Sequence, residues 1–197
     1  MGRTATIERA TRETKIRVEL DLDGTGRVAV ETPVPFLTHM VEQLGRHGLL
    51  DLTVKAEGDV HIDGHHTTED LGYCIGLAVD RALGDRAGIR RYGSATLPMD
   101  EALVTAAIDL SGRPFFVWRV PLPKAKIGTF DTELCEVFFE AFARGCRCNL
   151  HVRRHEGDNL HHLVEISFKS LARALADATR IDPRSAGIPS TKGTLTG

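Results

Sequence analysis

No apolar run among the 197 residues reaches the ~18 that a membrane span requires, and residues 1–15 are too polar for a secretory signal. These absences argue against a membrane or exported protein and lead to the expectation of a cytoplasmic one. Neither sign of charge is in excess: the formal net charge is −2. That balance gives no bulk attraction to nucleic acid or to a membrane surface. Cysteine is scarce, and the four present (Cys74, Cys135, Cys146, Cys148) form no C-x-x-C pair and no zinc-ribbon spacing. They read as reduced thiols, at least two of them in the core. Two zinc-protease motifs are missing as well. H-E-x-x-H does not occur, and Asp70 and Ile166 stand where the inverse H-x-x-E-H needs histidine.

What the chain does have is paired histidine. His65-His66-Thr67-Thr68-Glu69 and His161-His162-Leu163-Val164-Glu165 share one pattern and hold four of the nine histidines. Neutral imidazole and carboxylate together ligate divalent transition metals. On a helix, i and i+4 lie ~40° apart, whereas neighbours lie ~100° apart. His65 can therefore share an ion with Glu69, and His161 with Glu165, leaving His66 and His162 spare. Two ions, each taking a His–Glu pair from one window and the spare His from the other, would use all six groups. The plainer alternative is polar capping of two helix starts, for which bulky histidine is poorly suited. His/carboxylate ligation without thiolate suits Mn, Fe, Co or Zn.

The surroundings of the two windows also match. Ile75, Ala78, Val79 and Ala82 make one helical stripe, and Leu171, Ala174, Leu175 and Ala178 repeat it 96 residues on. Phe36, Leu37, Met40, Val41 and Leu44 recur as Leu134, Cys135, Phe138, Phe139 and Phe142, 98 residues on. Leu52 and Val54 recur as Leu150 and Val152. The chain is thus expected to be an internal duplication, with half-repeats 1–92 and 93–182 in one compact domain and a tail at 183–197. Each half reads β-β-β-α-β-α. Residues 16–22 and 27–30 are expected to pair as a hairpin, and so are 103–110 and 114–120. The class is α+β, with helices on one face of each sheet. The tail, rich in Pro, Gly, Ser and Thr, reads as disordered by composition alone.

Other groups stand out by chemistry. His39, Gln43 and His47 lie at i, i+4 and i+8 on one helix face, and His39 is a candidate further ligand. Arg91, Arg113, Lys169 and Lys192 are candidate anion binders, although a single basic residue is more often solvated surface. Ser190-Thr191-Lys192-Gly193 offers hydroxyls, a cation and flexible backbone to a phosphate.

Across residues 7–195 the chain resembles the imidazoleglycerol-phosphate dehydratases. The resemblance rests on Pro35-Phe36-Leu37-Thr38-His39-Met40, on Gly58-Asp59-Val60-His61-Ile62-Asp63-Gly64-His65-His66-Thr67-Thr68-Glu69-Asp70, and on Asp109-Leu110-Ser111-Gly112-Arg113-Pro114. Asn159-Leu160-His161-His162-Leu163-Val164-Glu165 and Pro189-Ser190-Thr191-Lys192-Gly193 complete it. It implies two sheets around a layer of four helices, two Mn²⁺ per active site, and a 24-subunit shell with the sites between subunits. The implied ligands are His39, His65, His66, Glu69, His161, His162 and Glu165. Many relatives carry a further histidine where this chain has Val137, and the internal repeat pairs Val137 with His39. Glu136, Glu140 or water are the candidates to fill that gap. The implied substrate contacts are Glu13, Gln43, His47, Arg91, Arg113, Lys169, Ser190, Thr191 and Lys192, which makes the tail a binding segment.

The implied reaction is loss of water from D-erythro-imidazole glycerol phosphate to give imidazole acetol phosphate, a step of histidine biosynthesis. The carbon-bound proton has no carbonyl beside it. Electron push from a metal-stabilised imidazolate ring would expel the hydroxyl and acidify the neighbouring C–H. Glu13, His47, Glu69 and Glu165 are the candidate acids and bases. Two other classes fit the histidine pairs: a hydrolase whose metal activates water, and a non-catalytic protein assembled by metal.

Overall fold

The computed structural model describes residues 2–185 and 187–195. The first half comprises β1 (Thr4–Ala10), β2 (Thr14–Asp21), β3 (Val28–Glu31), α1 (Pro35–Gly48), β4 (Asp51–Gly58) and α2 (His65–Leu83). The second comprises β5 (Tyr92–Met99), β6 (Ala102–Asp109), β7 (Phe115–Arg119), a small hairpin of β8 (Lys126–Ile127) and β9 (Phe130–Asp131), α3 (Glu133–Cys146), β10 (Asn149–Glu156) and α4 (Leu160–Thr179). The class is α+β with two similar halves.

Period-2 burial builds the strands. Ile16, Val18 and Leu20 of β2 and Leu52, Val54 and Ala56 of β4 are buried, while the residues between them face outward. The helices start and stop on local signals. Pro35 opens α1, and Leu49 closes it in the left-handed region at φ 57°. Arg147 closes α3 in the same way at φ 53°, 98 residues later.

Neither expected hairpin forms. The sheets run β1-β2-β4-β3 and β5-β6-β10-β7. In each, the third strand lies beyond the fourth and pairs with it in parallel: Val28 faces Leu52, and Phe116 faces Leu150. A parallel pair needs a crossover, and α1 and α3 supply it, burying their apolar stripes as they return. Sequence alternation finds strands but not their neighbours. The hairpins that do form are β1–β2 and β5–β6. Register also exposes an insertion. Leu20 opposes Leu52, and Ile108 opposes Leu150. The early strands are therefore offset by 88 residues (20 to 108) and the later elements by 98 (52 to 150). The β8–β9 hairpin takes up the difference.

The helices form two pairs, α1 against α4 and α2 against α3, each with one member from each half. Glycines bring α2 and α3 close. A Cβ at Gly76 would lie 2.3 Å from the carbonyl oxygen of Phe142, and one at Gly145 would lie 2.3 Å from that of Tyr73. Within the second half, Phe138 and Phe139 of α3 pack against Phe168 of α4, with ring centroids 4.8–6.0 Å apart. All four cysteines are buried and free. Much of the tail is docked, contrary to its composition. Gly88 N–H donates to the carbonyl of Gly187 at 2.9 Å, Arg91 Nη1 to that of Pro189 at 2.9 Å, and Leu195 is buried. Among the described residues, no helix is long and apolar enough to cross a membrane.

Candidate active site

Asn159 caps α4 by accepting the backbone N–H groups of His161 and His162, which fixes the phase of the helix at its histidine pair. One turn on, Glu165 Oε2 lies 2.9 Å from His161 Nε2. From α1, His39 Nε2 approaches the same oxygen at 3.5 Å. Phe36 sets its ring edge against His161, with centroids 5.2 Å apart, and is itself backed by buried Phe130 of the β8–β9 insertion. The three ligand atoms all lie within 4.8 Å of one another. Metal–ligand bonds of ~2.0–2.2 Å place adjacent ligands ~3 Å apart. The donor set and its spacing therefore fit a divalent ion.

Glu165 is 6% exposed. Burial pushes its carboxyl up, but hydrogen bonds from Lys169 and His161 and the Lys169 charge outweigh this and hold it ionised. On α1, Gln43 Nε2 lies 3.4 Å from His39 Nδ1 and its Oε1 lies 3.2 Å from His47 Nε2. The expected i, i+4, i+8 face is thus a connected row. Burial, then the charges of Lys169 and Arg173, lower the His47 pKa, so its ring is neutral near pH 7.

The other helix pair repeats this arrangement imperfectly. His65 Nε2 and Glu69 Oε2 stand 4.0 Å apart on α2. Val137 occupies the α3 position that His39 holds on α1. Arg144 of α3 donates to Glu69 Oε1 at 2.7 Å. Glu136 and Glu140 are exposed and stand in no three-ligand group with the pair. Among the described residues only His39, His161 and Glu165 gather three ligand atoms.

The spare histidines do not cross to the other repeat within one chain, because α2 and α4 belong to different helix pairs. His66 Nδ1 instead meets Asp59 at 3.0 Å, with Glu13 at 3.9 Å from its Nε2. His162 Nδ1 meets Glu101 at 2.8 Å. Those hydrogen bonds, donated by the rings to Asp59 and Glu101 respectively, are the main cause of a raised pKa at both rings.

A cleft of about 590 Å³ collects Arg91, Arg113, Ser190, Thr191 and Lys192. Arg91 is held in a two-point ion pair with Asp109 at 2.7 and 3.1 Å and lies over the Tyr92 ring. Lys169 is not part of this cleft. It sits by the metal-capable cluster, its Nζ 2.6 Å from Glu165 Oε1. Arg91 N–H donates to the carbonyl of Ala178, at the far end of α4. Thirteen residues of helix from Glu165 to Ala178 put the cluster and the cleft ~20 Å apart in one chain.

Sequence reasoning missed Asp59, Glu101, Asp109 and Arg144. Of these, Glu101 carried a signal: it follows Glu13 by 88 residues, the strand offset.

A duplicated α+β fold with a histidine–carboxylate cluster on its helices and a cationic cleft beside its tail suits a protein that holds a divalent metal and a small anion. Comparison with known proteins narrows it. The family model for imidazoleglycerol-phosphate dehydratase matches residues 32–175. Dehydratases of that name from Pelobacter propionicus and Parafrankia sp. are 54% and 56% identical over 195 residues, covering 99% of this chain and 100% of each relative. The crystal structure of the Staphylococcus aureus enzyme superposes with a TM-score of 0.82 at 35% identity, covering 91% of this chain and 99% of that one. A Pyrococcus furiosus IGPD, solved in complex with (S)-C348, gives a TM-score of 0.82 at 33% identity, covering 95% and 99%. The chain belongs to the imidazoleglycerol-phosphate dehydratase family, the hydro-lyases of histidine biosynthesis.

Proposed function

We propose that this chain converts D-erythro-imidazole glycerol phosphate to imidazole acetol phosphate and water, in sites holding two Mn²⁺ ions and completed by other copies of the chain in a 24-subunit cytoplasmic shell. The observation that carries this reading is the ~20 Å separation along α4 between the His39–His161–Glu165 cluster and the Arg91–Lys192 cleft. That is farther than the three-carbon chain between an imidazole ring and its phosphate can reach. A complete site therefore takes its metal ligands from one copy and its phosphate cleft from another. The boundaries 1–92, 93–182 and 183–197 serve this arrangement, the last supplying a substrate-binding segment.

The ligands are His39, His65, His66, Glu69, His161, His162 and Glu165. Two divalent ions held there supply the Lewis acidity that favours the imidazolate form of the substrate ring. The protein's own groups do the rest. Arg91, Arg113, Ser190, Thr191 and Lys192 hold the phosphate, with Lys169 reaching it from the copy that carries the metal ligands. Gln43 and His47, in a row behind His39, orient the glycerol hydroxyls. Glu69 and Glu165 are committed to ligation and to Arg144 and Lys169. Glu13 is half-exposed on the β1–β2 loop beside His66 and takes the carbon-bound proton. His47 takes up a proton from solvent and, as the imidazolium, gives it by way of water to the departing hydroxyl, returning to the neutral ring.

Incubation with Mn²⁺ and imidazole glycerol phosphate, followed by product identification, tests the reading. The ketone is expected. Inorganic phosphate without the ketone would mark a hydrolase instead.

A further inference from the structure

The β5–β6 hairpin turns on Asp100 and Glu101, with Asp100 in the left-handed region at φ 48°. From that turn Glu101 reaches the first turn of α4. Its Oε2 lies 2.8 Å from His162 Nδ1. Its Oε1 accepts the backbone N–H of Asn159 at 2.9 Å and, at longer range, that of Asp158 at 3.4 Å. Asn159 is the residue whose side chain caps His161 and His162. One carboxylate thus fixes the cap, the start of the helix and the imidazole together.

The other half offers a matching case. His66 Nδ1 lies 3.0 Å from Asp59 Oδ2, at the end of β4. In both windows the second histidine has Nδ1 taken by a carboxylate from another element. A histidine that ligates a metal usually donates its other ring N–H to such a group, which fixes tautomer and ring orientation. His161 differs: its Nε2 is within hydrogen-bond distance of Glu165 on its own helix, whereas the Nε2 atoms of His66 and His162 have only the more distant Glu13 and Asp100, at 3.9 and 3.7 Å.

We infer that Glu101 is a positioning residue for the metal centre: by accepting the Nδ1 proton of His162 it leaves the lone pair on Nε2, which faces the exposed Asp100 carboxylate at 3.7 Å, beyond hydrogen-bond range, for an ion. The inference rests on the reading of His162 as a metal ligand. The duplication adds weight, since Glu101 occupies in its hairpin the place Glu13 occupies 88 residues earlier. The two glutamates have divided their work, Glu13 toward substrate and Glu101 toward the ligand.

The test is a Mn²⁺ titration of metal-stripped full-length protein, following free Mn²⁺ by paramagnetic resonance. Wild type is compared with Glu101→Ala and with Glu101→Met, which keeps length but accepts no hydrogen bond. At least one Mn²⁺ equivalent should bind about 10- to 100-fold more weakly in both variants. Turnover should recover as Mn²⁺ is raised. Unchanged Mn²⁺ affinity in both would overturn the inference and leave the metal reading standing. A wild type that binds no Mn²⁺ would overturn that reading and the inference with it. Loss of native melting in both variants, unrelieved by Mn²⁺, would make Glu101 a purely structural residue and also overturn it.

Discussion

Lys169 Nζ lies 2.6 Å from Glu165 Oε1, one helical turn along α4, so the carboxylate offers only Oε2 to His161 and His39. The lysine neutralises the glutamate while the cluster is free of metal, and in the proposed site it turns to the phosphate. Lys169→Ala should raise KM for the phosphorylated substrate ~10- to 100-fold, the loss of a charge-assisted contact of roughly 1.5–3 kcal/mol. Mn²⁺ affinity should not fall, because the variant removes a competitor for Glu165. Steady-state kinetics beside a metal titration separates the two effects. A drop in Mn²⁺ affinity with unchanged KM would assign Lys169 to the metal centre instead.

Proton competition should set the pH dependence of metal binding. Hydrogen bonds to Asp59 and Glu101 raise the pKa of His66 and His162. Both must be neutral to ligate, so protons should compete from a pH above the ordinary histidine value of ~6.5. Mn²⁺ affinity should fall steadily as pH drops from 8 to 6, with proton release on binding seen by calorimetry in buffers of different ionisation enthalpy. The metal-free chain should show the opposite sign. A raised folded-state pKa stabilises fully below the unfolded value, and that contribution fades as pH rises through the folded one.

Val137 makes the two helix pairs unequal. The α1–α4 pair gathers His39, His161 and Glu165, whereas the α2–α3 pair offers His65 and Glu69 with Arg144 on the carboxylate. Mn²⁺ should therefore bind in two steps of different affinity. Val137→His should tighten the weaker step and leave the stronger one within about two-fold, an extra imidazole being the only change in ligand number. Two equal steps in the wild type, unmoved by the substitution, would show that another group completes the second site.

The cleft by the tail should govern substrate affinity. Arg113→Ala and Lys192→Ala should each raise KM ~10- to 100-fold, by the same estimate for a charge-assisted contact. Truncation after Gly187 should do at least as much, since it removes Ser190, Thr191 and Lys192 and the Pro189 carbonyl that Arg91 holds. A truncated enzyme with native KM would make the tail a bystander.

Much of this was legible in the chain. The stripes 96 and 98 residues apart located the duplication because each half must bury the same helix faces. The i, i+4 spacing of His161 and Glu165 fixed their meeting in advance, since helix geometry alone decides it. Strand order was not legible. Alternation in residues 16–22 and 27–30 shows two strands but not that β4 lies between them, which depends on α1 folding back over the sheet. The docking of the tail was hidden for a related reason: its anchors, at Gly187 and Pro189, are backbone carbonyls that composition does not record. The separation of Lys169 from Arg91 along α4 needed coordinates, because both look alike as isolated cations. Glu101 was within reach, and only the missed 88-residue offset concealed its kinship with Glu13.

In the proposed site, the histidine–glutamate groups of α1, α2 and α4 hold the ions on which dehydration depends. The most direct measurement is turnover of imidazole glycerol phosphate by protein stripped with a chelator, its metal content verified by elemental analysis, and then by the same sample reloaded with Mn²⁺. No ketone from the stripped enzyme and full recovery at about two Mn²⁺ per site are expected, because the ligands leave the protein without another electrophile to act on the ring. Undiminished turnover in the verified metal-free sample would contradict the account.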